Sequence, residues 1–154
     1  MSDSLAEATE ERRAWKEGGQ RVVLTNGCFD LLHPGHVALL EAAAAEGDVL
    51  VVAINSDRSV QNIKGPSRPV IPQEERAEML MALEPVDRVV VYEEPTPESV
   101  IRALVPDVLV KGADWALDAI VGRDIVLAAG GRVVRVDILP GRSTTAMLER
   151  IRLS

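Results

Sequence analysis

A chain of 154 residues has room for one domain and for a core that stands without disulfide or metal staples. Hydrophobic residues make up 47% of it, which excludes a disordered chain, and its single cysteine, Cys28, excludes an internal disulfide. A net charge of −7 excludes a general nucleic-acid binder. No apolar run approaches the roughly 18 residues of a membrane span, and no apolar signal core opens the chain, so the expectation is a cytoplasmic protein with neither nucleic-acid nor membrane partners.

Residues 4–17 read as a polar, charged helix ended by Gly18-Gly19, which sets residues 1–19 apart from a single domain over 20–154. Arg21–Thr25 is a short β-rich run bounded by Asn26-Gly27. A helix follows Pro34-Gly35 and stops at Gly47. Val49–Ile54 is apolar without alternation, the pattern of a strand covered on both faces. Residues 55–71 read as loop, 72–84 as a helix with Glu74 and Glu75 in its first turn, and Arg88–Tyr92 as a strand. Thr96 and Pro97 read as the N-cap and first residue of a helix to about Leu104. Val108–Val110 is a strand, 121–129 a helix stopped by Gly130-Gly131, Arg132–Val136 a strand, and Ser143-Thr144 caps a last helix to about Arg150. About five strands alternating with helices predict a three-layer α/β sandwich with a parallel sheet, whose ligands bind at the carboxyl ends of the strands. The loops 25–36, 55–68, 111–115 and 141–145 all follow strands and share that edge.

The densest chemistry lies in the first of them, Thr25-Asn26-Gly27-Cys28-Phe29-Asp30-Leu31-Leu32-His33-Pro34-Gly35-His36. The chain has only two histidines, and both sit here, three apart on one helix entry where two imidazoles can face a single phosphate. Gly27 permits close approach of backbone to ligand, and the helix start at Gly35 offers free N–H groups to an anion. The alternatives are a two-ligand metal site, which lacks a third ligand nearby, and a pair of merely structural histidines. The chain has fourteen Arg and three Lys, and Lys64 and Lys111 each precede a glycine. Lys64 and Arg68 lie on a segment read as a loop able to close over a phosphate. At the end of another strand Lys111, Gly112 and Asp114 have the reach for an acceptor's phosphate and hydroxyls, with a plain surface turn as the alternative. Ser143, Thr144 and Thr145 place three hydroxyls at a helix start behind Gly141.

The Thr-Asn-Gly-Cys-Phe-Asp…His-Pro-Gly-His run resembles the signature of the cytidylyltransferase-like nucleotidyltransferases, and the resemblance covers roughly residues 20–152. It implies a Rossmann-like fold of the HIGH type, an NTP donor with Mg²⁺, no resident metal site and no covalent intermediate. His33 and His36, with Lys64, would be the catalytic residues. The nucleotide would lie on Thr25, Asn26, Gly27, Cys28, Phe29, Gly35 and Ser143–Thr145, and the acceptor on Asp30, Asn55, Arg68, Lys111, Gly112 and Asp114. Arg76 matches a family arginine that would support the site or a dimer contact, a plain surface position being the alternative. The pieces TNGCFDLLHPGHV, VVAINSD, KGPSRPV, ALEPVDRVV, PDVLVKGADW and STT are most similar to the D-glycero-β-D-manno-heptose 1-phosphate adenylyltransferases. That likeness implies ATP and a sugar 1-phosphate as substrates, a separate heptose kinase in the pathway and a homodimer. A glycerol-3-phosphate cytidylyltransferase is the runner-up. It expects an arginine where this chain has Ile138, and Arg142 is displaced from both patterns. A non-catalytic nucleotide-binding module is the alternative of another class; such a module is expected to have lost one of the two histidines.

Overall fold

A run of β-branched residues with no polar alternation is stable only when both faces of its sheet are covered. The computed structural model, which describes residues 5–113, 116–137 and 143–153, has this form. In chain order its elements are α1 (Leu5–Glu17), β1 (Val22–Gly27), α2 (Pro34–Ala44), β2 (Val49–Asn55), α3 (Asp57–Lys64), α4 (Gln73–Met81) and β3 (Arg88–Tyr92). They continue with α5 (Glu98–Leu104), β4 (Val108–Gly112), a 3-10 turn (Leu117–Ala119), α6 (Arg123–Ala128), β5 (Arg132–Val136) and α7 (Thr144–Leu153). The five strands form one parallel sheet in the order β3-β2-β1-β4-β5. The chain runs outward from β1 on one side and resumes at β4 on the other, so the switch point lies between the carboxyl ends of β1 and β4.

Three aspartates align the opposite edge. The carboxylates of Asp48, Asp107 and Asp87, each immediately before a strand, accept from the amides of Arg21, Val22 and Leu50 at 2.8 Å. Each bond pins a strand's start to its neighbour, and register then levels the carboxyl ends where the site forms.

On one face Leu24, Val51, Ala53 and Leu109 pack beneath α1, α5 and α6 through Ala8, Val100, Ile101, Leu104 and Val126. On the other, Val23, Val52, Ile54, Val108 and Val110 meet Leu40 and Ala43 of α2 and Ala77 and Leu80 of α4. Each of the larger buried side chains contributes about 1.5–3 kcal/mol. Helix α1 belongs to this layer. Ala8 is wholly buried, and Leu5 and Trp15 pack on the core. Arg12 donates to the carbonyls of Leu104 and Val105 and pairs with Asp107, while Glu7 and Glu11 pair with Arg88.

Two element readings need correction. Residues 57–64, expected as loop, form α3. Ser56 Oγ accepts from the Ser59 amide, Asp57 occupies the first turn, and Gly65 ends the helix at φ 101°. Its buried face consists only of Ser59 and Val60, and at eight residues the helix is too short to stand out from the Gly- and Pro-rich stretch that follows it. Helix α5 starts one residue later than expected, with Pro97 rather than Thr96 at the N-cap and no side-chain cap, which releases Thr96 to line a cavity. Among the described residues no helix is long and apolar enough to cross a membrane.

Candidate active site

Strand β1 ends at Gly27, where a Cβ would stand 3.0 Å from the Phe29 ring. The chain then turns through Phe29, at φ 48°, and enters α2. The two histidines build that entry. The Gly35 amide donates to His33 Nδ1 at 3.1 Å, and the His33 amide donates to His36 Nδ1 at 3.3 Å, a reciprocal capping box made of two imidazoles. The rings stack with centroids 3.8 Å apart, and Phe29 supports His36 from 5.1 Å. A neutral imidazole whose Nδ1 accepts a hydrogen bond carries its proton on Nε2. The backbone therefore selects the same tautomer for both rings. Gly35 was expected to offer its amide to a phosphate. That amide is engaged by His33, so the helix start presents ring N–H groups in place of the backbone one.

Burial first, then the charges of His33 and Lys64, lower the His36 pKa from 6.5 to about 4. At neutral pH His36 is an uncharged hydrogen-bond donor.

Beside this entry, at the switch point, lies a cavity of about 380 Å³. Asn26, Gly27 and Cys28 from the end of β1, Asn55 from β2 and Tyr92 from β3 line it, together with Lys64 from the last turn of α3 and Lys111 from β4. Ile63, Pro95, Pro97, Ile120 and Val121 supply its apolar wall. Lys111 Nζ donates to the Asn26 carbonyl at 3.3 Å, which bridges β4 to β1 across the switch point. Beneath the cavity the Asn26 amide donates to Tyr92 Oη at 3.4 Å, Tyr92 donates to Asn55 Oδ1 at 3.0 Å, and Asn55 donates to Ser59 Oγ at 3.0 Å. Helix α7 approaches from the other side. Thr144 Oγ1 donates to the Leu31 carbonyl at 3.1 Å, and Ser143 Oγ caps the helix by accepting from the Ala146 amide. Thr145 is exposed.

The structure thus brings His33, His36, Lys64, Lys111, Gly112, Asn26, Gly27 and Cys28 to one edge, with the start of α7 docked on the histidine loop. Asp114, along with Trp115, Ile138, Gly141 and Arg142, lies outside the described residues. Five expected ligand contacts are corrected. Thr25 is fully buried, and its hydroxyl donates to the Val110 carbonyl, joining β1 to β4. The Asn55 side chain is engaged by Tyr92, Cys28 and Ser59, so it forms floor rather than a contact for the acceptor. Asp30 is 2% exposed and accepts from Arg68 Nε and from the amides of Val70 and Ile71. Burial pushes its carboxyl up, but the Val70 and Ile71 amides and Arg68 outweigh it and hold the pKa below 3.8. Arg68, its partner at 2.9 Å, is buried and does not reach over the cavity. Phe29 is buried too, so its ring supports His36 instead of facing a base.

Among the described residues Arg76 is the largest fully buried side chain. Neither a surface position nor a dimer contact describes it. It donates to the carbonyls of Cys28 (2.7 Å), Asn55 (2.8 Å) and Ile71 (2.9 Å) and pairs with Asp57 at 2.9 Å. One guanidinium ties the carboxyl ends of β1 and β2 to the starts of α3 and α4. The signal for this in the sequence was an arginine on a helix face otherwise made of Ala77 and Leu80.

Chemically the edge suits charge stabilisation. It offers the uncharged Nε2–H of His36 at the α2 entry and two lysines lining the cavity beside it, and among the described residues no cluster of three or more His, Cys, Asp or Glu is placed to hold a metal ion.

The sequence matches the family described as cytidylyltransferase-like over residues 24–145. It is 58% identical to the bifunctional protein HldE of Gluconobacter oxydans (strain 621H) over 135 residues, 88% of this chain and 28% of that one. It is 54% identical to the bifunctional protein HldE of Mesorhizobium japonicum (strain LMG 29417 / CECT 9101 / MAFF 303099) over 153 residues, 97% of this chain and 31% of that one. The chain thus spans less than a third of the length of these relatives. A solved structure described as the lipopolysaccharide core biosynthesis protein from Thermoplasma volcanium GSS1 aligns with a TM-score of 0.68 at 26% identity, covering 79% of this chain and 99% of that one.

Proposed function

The chain belongs to the cytidylyltransferase-like family of nucleotidyltransferases, and from that membership we propose that it transfers AMP from Mg-ATP to D-glycero-β-D-manno-heptose 1-phosphate. The products are an ADP-heptose and pyrophosphate. The observation that carries the proposal is the stacked His33–His36 pair, whose Nδ1 atoms both accept backbone amides at the mouth of α2. Identity to the HldE proteins favours the heptose acceptor over glycerol 3-phosphate.

An oxygen of the sugar 1-phosphate attacks the α-phosphorus of ATP in line. The bond from that phosphorus to the bridging oxygen of the β-phosphate breaks, and pyrophosphate leaves. The nucleophile is already ionised at neutral pH, so no general base is needed, and catalysis consists of positioning and charge stabilisation. His33 and His36 donate from Nε2 to the triphosphate where charge builds. Lys64 neutralises phosphate oxygens as a point charge, and the start of α7 with Thr145 holds others. Lys111 faces the acceptor. Mg²⁺ arrives as part of the nucleotide substrate, held on phosphate and water oxygens, as this ion prefers. A kinase reaction supplies the heptose 1-phosphate, the setting is the cytoplasm, and the working form is a homodimer, which light scattering on eluted protein checks.

A pyrophosphate-release panel tests the proposal: ATP and CTP against heptose 1-phosphates, glycerol 3-phosphate and phosphoethanolamine. Turnover with ATP and the β-configured heptose 1-phosphate is expected. Turnover only with CTP and glycerol 3-phosphate would overturn the acceptor and keep the chemistry. Tight ATP binding without pyrophosphate release from any acceptor would make the protein a binding module.

A further inference from the structure

Residues 65–72 run as a strap between α3, which carries Lys64, and α4, which carries Arg76. The strap has little apolar anchorage, since Val70 and the residues at 66 and 67 are exposed. Arg76 Nε donates to the Ile71 carbonyl and holds the strap at its α4 end, and one carboxylate ties the rest of the strap to the histidine loop. Asp30 Oδ2 accepts from Arg68 Nε at 2.9 Å and from the Val70 amide at 2.9 Å, and Oδ1 accepts from the Ile71 amide at 2.9 Å. The Asp30 side chain is 0% exposed, so no ligand reaches it in this arrangement. The Arg68 amide in turn donates to the Gly65 carbonyl at 3.2 Å, one residue beyond Lys64. On the other side Asp30 stands three residues before His33, between Phe29, which supports His36, and Leu31, whose carbonyl accepts from Thr144.

We propose that Asp30 is a positioning residue for nucleotidyl transfer: its carboxylate latches the 65–72 strap to the histidine loop and so sets the distance from Lys64 to the His33–His36 pair. The inference rests on the reading of those three residues as catalytic, and it assigns Asp30 a role without contact to either substrate. An ion pair in so buried a place adds little net stability compared with an apolar pair, yet it fixes geometry, because a carboxylate with three donors has one comfortable position. Misplacement of a reacting group by about 1 Å costs on the order of 10²-fold in rate.

The test compares Asp30→Asn with Arg68→Gln, which weakens the same latch from the strap side and stands in should Asp30→Asn fail to fold. In steady-state pyrophosphate release each variant is expected to lower kcat, Asp30→Asn by about 10–100-fold and Arg68→Gln by less. The KM for the sugar phosphate stays within about threefold of the parent, because no ligand contact is lost. The second readout needs no turnover. In ¹⁵N-imidazole NMR of the ligand-free protein, the His36 titration midpoint rises in both variants as Lys64 moves off and the ring gains water. Loss of the Asp30 charge alone would lower that midpoint, so in Asp30→Asn the sign separates a loosened loop from a missing charge; in Arg68→Gln, where loss of the cation alone also raises the midpoint, the fall in kcat at unchanged KM decides. A raised acceptor KM at unchanged kcat overturns the proposal, because Asp30 then touches substrate. A lowered melting temperature with kcat, KM and the His36 midpoint all unchanged overturns it as well, leaving plain scaffolding. If the parent protein releases no pyrophosphate with any acceptor, the functional reading fails by itself, and the His36 midpoint still decides the latch.

Discussion

An imidazole that accepts a backbone amide at Nδ1 must donate from Nε2 when neutral, and His36 is neutral over the whole physiological range because burial, His33 and Lys64 all oppose its charging. His36→Ala is expected to lower kcat by about 10²–10³, the size of losing one preorganised donor. A fall below about threefold would contradict the role. The ring's titration, followed by NMR, should have a midpoint near pH 4 in the ligand-free protein. Bound Mg-ATP should raise it, since the triphosphate's charge favours the imidazolium. An unmoved midpoint would place the nucleotide away from this ring. Arg76 belongs to the same scale. Arg76→Met keeps the bulk but leaves the carbonyls of Cys28, Asn55 and Ile71 without that donor. It should cost about 3–5 kcal/mol in urea denaturation, the range for breaking a buried charged network.

Helix α3 shows how an element with little apolar surface is still specified. Its start is a serine cap and its end a glycine at positive φ, and Arg76 clamps Asp57 in its first turn. Asp57 Oδ1 also accepts from the Gln73 amide while Gln73 Oε1 accepts from the Asp57 amide, so α3 and α4 cap one another. Ser56→Ala should cost about 1 kcal/mol. Because Lys64 sits at the far end of this short helix, the same change should raise the KM for ATP. A thermal melt together with ATP kinetics checks both, and lost stability with unaltered ATP kinetics would separate α3 from the triphosphate.

The whole molecule stands on a sheet covered on both faces, and α1 is part of that cover. Deleting residues 1–19 uncovers the face that holds Leu24 and Val51 and orphans Arg88. It should remove several kcal/mol, at about 1.5–3 kcal/mol per large buried side chain. A truncated chain that melts like the parent would make α1 dispensable to the fold. Among the described residues, His36 and Asp30 have lowered pKa values through which acid acts on stability. The folded pKa of His36 lies below its unfolded 6.5, so the unfolded chain binds the proton first, and stability full above pH 6.5 is lost as pH falls toward 4. Asp30, also depressed, gives stability that is present above its ordinary 3.8 and is lost below it. Melting temperature should therefore fall continuously from pH 6.5 downward, and His36→Asn should flatten the upper part of that fall.

Layering, strand number and the edge that gathers the candidate site were legible in the residues themselves. Unalternating runs such as Val49–Ile54 require a doubly covered parallel sheet, and such a sheet places its chemistry where the strands end. The pairing of His33 with His36 was legible for the same local reason, a spacing of three at a helix start. Whether a polar side chain faces a ligand or the protein interior is set by partners far along the chain, and local pattern carries no information about them. Thr25 meets Val110, Asp30 meets Arg68 and Ile71, and Arg76 meets Cys28 and Asn55 only once the sheet has formed. Sequence alone determined which chemistry gathers at this edge. Tertiary structure alone decided which of the gathered groups stay available for it, because hydrogen-bond donors and acceptors inside a folded chain are claimed by whatever the fold brings within reach.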